Sequence, residues 1–289
     1  MEVLTKIETR ALKELKTLIQ DALDSNKLTS IEADHHGIVS IWGIPLLADE
    51  RTDVILLKFL RARDFRVKDA FIMIKNTLQW RKEFEVDALL KEDLGNDYDK
   101  VVFIHGVDKH DHPVCYNVFG EFHNKELYQN TLSDAEKRNK FLRWLIQFTE
   151  KTIRTFDFTP KGIIPLLLSM IWEILLGMES GKYTKLLISF LRFCRITTLN
   201  LQSNRMRIEL QRSGVELECT LNRELCINTS WWYMIFNWIF LTVFAPGSKN
   251  KFVFATPSKT TETLFKYISP EHVPVQFGGH SNERPIWVP

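Results

Sequence analysis

At Val101 the spacing of apolar residues changes, from one in every three or four positions to one in every two. The change constrains the fold more than any other feature, because the two periods bury their faces in different architectures. Before it, residues 4–23 place Leu4, Ile7, Ala11, Leu15, Leu18, Ile19, Ala22 and Leu23 on one helical face, with Lys and Glu opposite. A polar linker, DSNKLTSIEADHHG, leads through WGIPLL to a helical pair over 53–63 and 67–84, the second carrying Ala70, Phe71, Ile74, Leu78 and Trp80. After it, VVFIHG and PVCYNVFG read as strands joined by the polar turn VDKHDH. Ser133 and Glu136, at capping-box spacing, open a long helix ending near Phe156. ELCIN and KFVFA read as short buried strands, SKTTETLFKYI as a last amphipathic helix, and SPEHVPVQFGG as a turn-rich close. Strands alternating with helices predict an α/β chain, a helical N-terminal lobe followed by a mixed-sheet domain.

A chain of 289 residues can bury a substantial core. Its formal net charge of +2 gives no electrostatic push toward nucleic acid, and no nucleic-acid partner is expected. Cys115, Cys194, Cys219 and Cys226 have no C-x-x-C spacing and read as free thiols in a reducing compartment. The N-terminus carries charges throughout and no apolar core of a signal peptide, so a cytoplasmic location is expected. Two apolar runs need a length test. Ile163–Met178 contains Pro165 and Glu173, and Trp231–Ala245 is fifteen residues long and contains Asn237. A spanning helix takes about 20 apolar residues. A mid-bilayer carboxylate costs about 3 kcal/mol. Neither run fits a span.

Candidate chemistry is sparse. His105, His110, His112 and His123 with Asp108 and Asp111 contain possible metal ligands, but DKHDHP is equally a solvated hairpin turn, and no second cluster completes a recognised set. No metal is expected. Neither G-x-S-x-G, a phosphate-binding P-loop nor a Cys/His nucleophile signature occurs, so the chain reads as no enzyme and as needing no cofactor. LLKFLRARDF sets Lys58, Arg61 and Arg63 near a helix end beside Leu57 and Leu60. That is either a solvated face or a cationic corner for phosphate or an anionic membrane. The run Trp231, Trp232, Tyr233, Phe236, Trp238, Phe240, Phe244 is apolar on every side and so either buried or in contact with lipid. Lys249 and Lys251 follow, just before a strand. A greasy helix beside lysines suggests an amphiphile site, tails in an apolar pocket and phosphate on the cations.

In order along the chain, WGIPLL, LLKFLRARDFRVKDAF, NTLQWRKEF, VVFIHGVDKHDHPVCYNVFGEF, KELYQ, FLRWLIQFTEKTIR, WWY, and KNKFVFATPSKTTETLFKYISPEHVPVQFGG resemble the CRAL-TRIO family, and within it the patellin subfamily of plants. The likeness is nearly continuous over 42–162 and 226–279. It implies a front helical lobe and a mixed sheet whose pocket holds one phospholipid or another hydrophobic molecule, gated by a mobile apolar helix. By position, Trp231, Trp232, Tyr233, Phe236, Phe240 and Phe244 match the gate and pocket, Lys251 the headgroup lysine, and Arg61 and Arg63 the front-lobe motif near the headgroup. Tyr116 and Phe119 fit pocket lining. The resemblance further implies non-enzymatic transfer of phosphoinositides between membranes, peripheral membrane association, and a part in trafficking to the cell plate in cytokinesis. A lipid-sensing scaffold that does not transfer is the other reading.

The organisation expected from this is an amphipathic helix over 1–28, the helical lobe over 42–90, the lipid-binding domain over 98–280 and a tail over 281–289. Patellins carry a long acidic N-terminal region and a C-terminal GOLD domain, and neither is expected in this chain. Within the domain, 163–225 departs from the family. The codons that spell Met170–Ile171–Trp172–Glu173 allow Asp-Leu-Gly-Asn one base over, and FCRITTLNL allows LQDNYPEF in the same offset; both strings fit patellins at that place. The expectation is that about 163–205 is translated out of frame, that the central strand of the sheet is disrupted, and that the chain is a candidate for a non-functional product.

Overall fold

The computed structural model describes residues 4–28, 38–156, 158, 169–173, 223–229 and 252–282. Helix α1 (Lys6–Asp24) starts at a capping box, in which Thr5 accepts from the Glu8 amide at 3.2 Å and the Glu8 carboxylate accepts from the Thr5 amide at 2.8 Å. Its buried stripe is Ala11, Leu12, Leu15, Ile19 and Ala22. Ile7, grouped with that stripe by sequence period, is 75% exposed, although Leu4 before it packs against the lobe cluster. Strands β1 (Ser40–Ile41) and β2 (Ile44–Pro45) form a small hairpin. Its two turn residues, Trp42 and Gly43, both have positive φ, as the twist of a two-residue hairpin requires.

Helix α2 (Glu50–Arg61) is capped by Asp49, whose carboxylate accepts from the Arg51 amide at 2.9 Å, and α3 (Val67–Glu83) runs back beside it. Helices α1, α2 and α3 pack against one another around Leu15, Ile19, Ile55, Leu56, Leu60, Ile74 and Leu78. A short helix, α4 (Val86–Leu89), then leads to the sheet.

The sheet has the order β3-β4-β5-β6-β7. Strands β3 (Val102–Val107) and β4 (Pro113–Asn117) form the antiparallel hairpin that the two-residue period predicts. β5 (Ser169–Glu173), β6 (Arg223–Ile227) and β7 (Phe252–Phe254) add on in parallel. The expected disruption does not reach the middle of the sheet. Ser169–Trp172 pair with Val114–Asn117 on one side, and Ser169–Glu173 with Arg223–Ile227 on the other. A parallel ladder uses backbone N–H and C=O groups, which every non-proline residue carries, so a sequence foreign to the family can still supply a strand. Residues 163–168 and 174–222, the rest of the atypical segment, lie outside the described residues.

Helix α5 (Lys125–Thr131), capped by Asn124, precedes α6 (Ala135–Arg154). The N-cap of α6 is Asp134, one residue beyond the Ser133 that the motif suggested, and it accepts from the Lys137 amide at 2.9 Å. Ser133 instead donates to the Gln129 carbonyl in the last turn of α5, at 2.8 Å. Helix α7 (Thr260–Tyr267) and the turns around Pro270–His272 and Val275–Phe277 complete the described fold.

Candidate functional site

Strand β4 sorts its side chains onto the two faces of the sheet. Tyr116 pairs with Phe103, and the two belong to a cluster with Val114, Leu225, Ile227, Leu264, Val273 and Phe277. The Tyr116 ring lies between Phe103, at 5.2 Å and 12°, and Phe277, at 5.3 Å and 10°. Both of its faces are taken by other rings. Its hydroxyl is fully buried with no hydrogen-bond partner, and burial pushes the phenol far above its ordinary pKa. α7 and the C-terminal turns seal this face.

The seal is tight. Gly106 has φ +62°, and a Cβ there would lie 2.6 Å from the His272 carbonyl oxygen. The β3–β4 turn also holds α7 by its C-terminal end: the Lys109 amide donates to Tyr267 O at 2.9 Å, and Lys109 Nζ donates to Phe265 O at 2.7 Å. Asp108 organises the turn itself. Its carboxylate accepts from the His110 amide at 2.8 Å and the His112 amide at 3.0 Å, and pairs with His112 Nδ1 at 3.0 Å. Burial raises the carboxyl pKa, but the His112 and His110 bonds together outweigh it and hold it below the usual range. The turn reading of DKHDHP is the one the structure bears out. Among the described residues no group of three or more His, Cys, Asp or Glu is placed to hold a metal.

The opposite face carries Val102, Ile104, Cys115, Cys226 and half-buried Phe254, packed with Phe141, Trp144, Leu145 and Phe148 of α6. Burial pushes the Cys115 thiol up to about 12, an effect only partly offset by the Asn117 amide. Asn117 lies on this face two residues from Cys115, its Nδ2 donating to Cys115 Sγ at 3.9 Å. Asn117 is fully buried and its Oδ1 has no partner.

α6 joins this face to the helical lobe. Phe141, Trp144 and Phe148 face the sheet cluster, while Ile153 and the following Phe158 enter the lobe cluster. Phe158 stacks on Trp42 at 5.9 Å. Arg81 of α3 donates to Glu150 of α6 at 2.6 Å, with side chains only 2% and 1% exposed. Arg154 pairs with Asp87 at 2.6 Å, and Arg143 pairs with Glu92 while lying over the Phe84 ring.

The residues singled out by sequence do not form one cluster. Arg61 ends α2 in the lobe, exposed and close enough to Glu8 of α1 to act on its carboxyl. Arg63 is half-buried and donates to the neighbouring Ala62 carbonyl at 3.0 Å. Tyr116 lies on the sealed face, and Phe119 begins the short 3-10 turn that follows β4. Lys251, Trp231, Trp232, Tyr233, Phe236, Phe240 and Phe244 lie outside the described residues; β7 begins at the residue after Lys251. Sequence reasoning passed over Asn117, although an asparagine ending the otherwise apolar run VCYN is a signal, since Asn is depleted in strands.

Two family profiles match the chain: the CRAL/TRIO, N-terminal domain over residues 11–76, which spans α1 to α3, and the CRAL/TRIO domain over 217–279, which spans β6 to the C-terminal turns. The chain belongs to the CRAL/TRIO family. This CRAL/TRIO chain is 47% identical to Patellin-3 of Arabidopsis thaliana over 279 residues, which is 96% of the chain and 52% of Patellin-3. Patellin-6 of the same plant is 36% identical over 96% of the chain and 63% of its own length. A protein named phosphatidylinositol transfer protein SFH5, from Meyerozyma guilliermondii, is 30% identical over 55% of the chain and 50% of its own length. The CRAL/TRIO chain thus spans about half the length of several of the curated relatives it matches. The crystal structure of Sfh5 superposes with a TM-score of 0.65 at 16% identity, covering 99% of the chain and 95% of Sfh5, which establishes a common fold. No helix among the described residues is long and apolar enough to cross a membrane.

Proposed function

We propose that the protein binds a phosphoinositide or another hydrophobic ligand and moves it between membranes by exchange, without covalent chemistry. The observation that carries this is its 47% identity to a patellin along 96% of the chain. The name of the Meyerozyma guilliermondii relative, phosphatidylinositol transfer protein SFH5, supports the same reading. The apolar side of the sheet that faces α6 is, on this reading, the floor for acyl chains, since lipid tails bind by loss of water-exposed apolar area. In this reading Lys251, Arg61 and Arg63 serve the headgroup, the segment from Trp231 to Phe244 serves as gate and pocket wall, and Tyr116 supports the floor from behind. The partners are phosphoinositides and a membrane surface met peripherally from the cytoplasm, and the cellular role is membrane trafficking at the cell plate during cytokinesis.

A transfer assay between donor and acceptor vesicles tests it. The protein is expected to move labelled phosphatidylinositol faster than its spontaneous exchange. Vesicle binding without transfer would favour a lipid-sensing scaffold, and no association with lipid in either assay would refute the proposal.

A further inference from the structure

A buried side-chain amide with no partner calls for a reason, because leaving it unpaired costs more than a hydrogen bond between protein groups gains. Asn117 is such a group: it is fully buried, Oδ1 is unpaired, and Nδ2 reaches only a sulfur at 3.9 Å. Other buried polar side chains of α6 and α3 each reach an oxygen or nitrogen partner through at least one atom, which Asn117 does not. Gln147 donates to Leu89 O at 2.6 Å and to Glu92 O at 2.7 Å, Thr152 to Phe148 O at 2.7 Å, and Arg81 to Glu150 at 2.6 Å. A trapped water does not solve the problem unaided. It needs two to four polar partners, and the cluster around Val102, Cys115 and Cys226 offers few polar side-chain atoms, chiefly the thiols, the Tyr98 hydroxyl and Trp144 Nε1.

We propose that Asn117 is the polar anchor of a ligand site on the α6 face of the sheet, and that it takes a hydroxyl group of the bound amphiphile. The inference rests on the lipid-binding reading above and narrows it to ligands with hydroxyl-bearing headgroups. A hydroxyl both donates and accepts, so it satisfies Oδ1 and leaves the amide N–H groups a second acceptor. A choline headgroup has neither N–H nor O–H and leaves Oδ1 unpaired in a site that excludes water. Sites built on buried hydrogen-bonding groups reject ligands that lack the matching group more strongly than apolar pockets reject a change of size. Asn117 is therefore a specificity residue, held on the β4 backbone next to the central strand.

The test measures binding of phosphatidylinositol and of phosphatidylcholine, each presented in vesicles, to the full chain and to Asn117→Leu, together with thermal melting. The expected result is a roughly tenfold fall in the ratio of phosphatidylinositol to phosphatidylcholine binding, with a melting temperature equal to or above that of the parent. An unchanged ratio with a raised melting temperature would overturn the proposal and leave Asn117 as a defect of packing only. Should Asn117→Leu lose its cooperative melt, Asn117→Thr carries the test: its hydroxyl keeps the preference for phosphatidylinositol if the proposal holds, and loss of that preference overturns it. A parent chain that binds neither lipid refutes the lipid-binding reading itself. A parent that binds both equally refutes the Asn117 proposal alone.

Discussion

Replacing Arg81 with methionine should cost the protein several kcal/mol, although the side chain touches neither face of the sheet. Arg81 and Glu150 are 2% and 1% exposed and join α3 to α6 by a 2.6 Å charge-assisted bond. One Glu150 oxygen, Oε2, already has no partner, so the carboxylate depends on this single contact more than most buried acids do. Arg81→Met strands that charge in an apolar environment, and breaking a buried pair from one side typically costs about 3–5 kcal/mol. Unfolding entropy near 2.1 cal/mol/K per residue converts this to a fall of about 5–8 °C in melting temperature for a chain of this length. Calorimetry on Arg81→Met, Glu150→Met and the double variant measures it. The double variant should recover most of the loss, because the pair's mutual attraction and its desolvation nearly cancel. A fall below about 1 °C for Arg81→Met would show that α3 and α6 are not held together as argued, and an additive double variant would show that the two side chains do not interact.

Three further outcomes follow from particular contacts. Gly106→Ala should destabilise the protein by about 2 kcal/mol or more, since the new methyl meets the His272 carbonyl and the backbone is in the left-handed region; urea unfolding measures it. Asp108 has a folded-state pKa below its unfolded value, so its contribution is present above about pH 4 and is lost as pH falls through the lowered pKa. Asp108→Asn should therefore lower the melting temperature at pH 7, and its deficit relative to the parent should shrink between pH 5 and pH 3. Cys115, with its thiol pushed up to about 12 and its side chain buried, should stay unmodified by iodoacetamide at pH 8 in the native state and react on unfolding, as read by peptide mass mapping.

The sequence was most informative where periodicity and turn chemistry agree. The change of period at Val101 marks the start of β3, the alternation in PVCYN gives β4, and DKHDH gives the turn that Asp108 knits. The capping motif before α6 located the helix but missed its cap by one residue, because Ser133 and Asp134 both have cap chemistry and only α5 decides between them. Which face of β4 is sealed was not legible. Alternation separates Tyr116 from Cys115 and Asn117, but the groups that close the Tyr116 side, Leu264, Val273 and Phe277, are remote in sequence. Nor could composition show that SMIWE would sit between β4 and β6, since strand pairing in mid-sheet is decided by the neighbours on both sides. Arg61 and Arg63 lie close in sequence and differ in setting, one exposed beside Glu8 and the other half-buried against its own helix end.

Native mass spectrometry of the intact chain after incubation with phosphatidylinositol vesicles tests the central claim most directly. The account predicts one lipid per chain, retained after removal of the vesicles and displaced by excess unlabelled phosphatidylinositol. A folded chain, with a cooperative melt, that carries no lipid mass would contradict it.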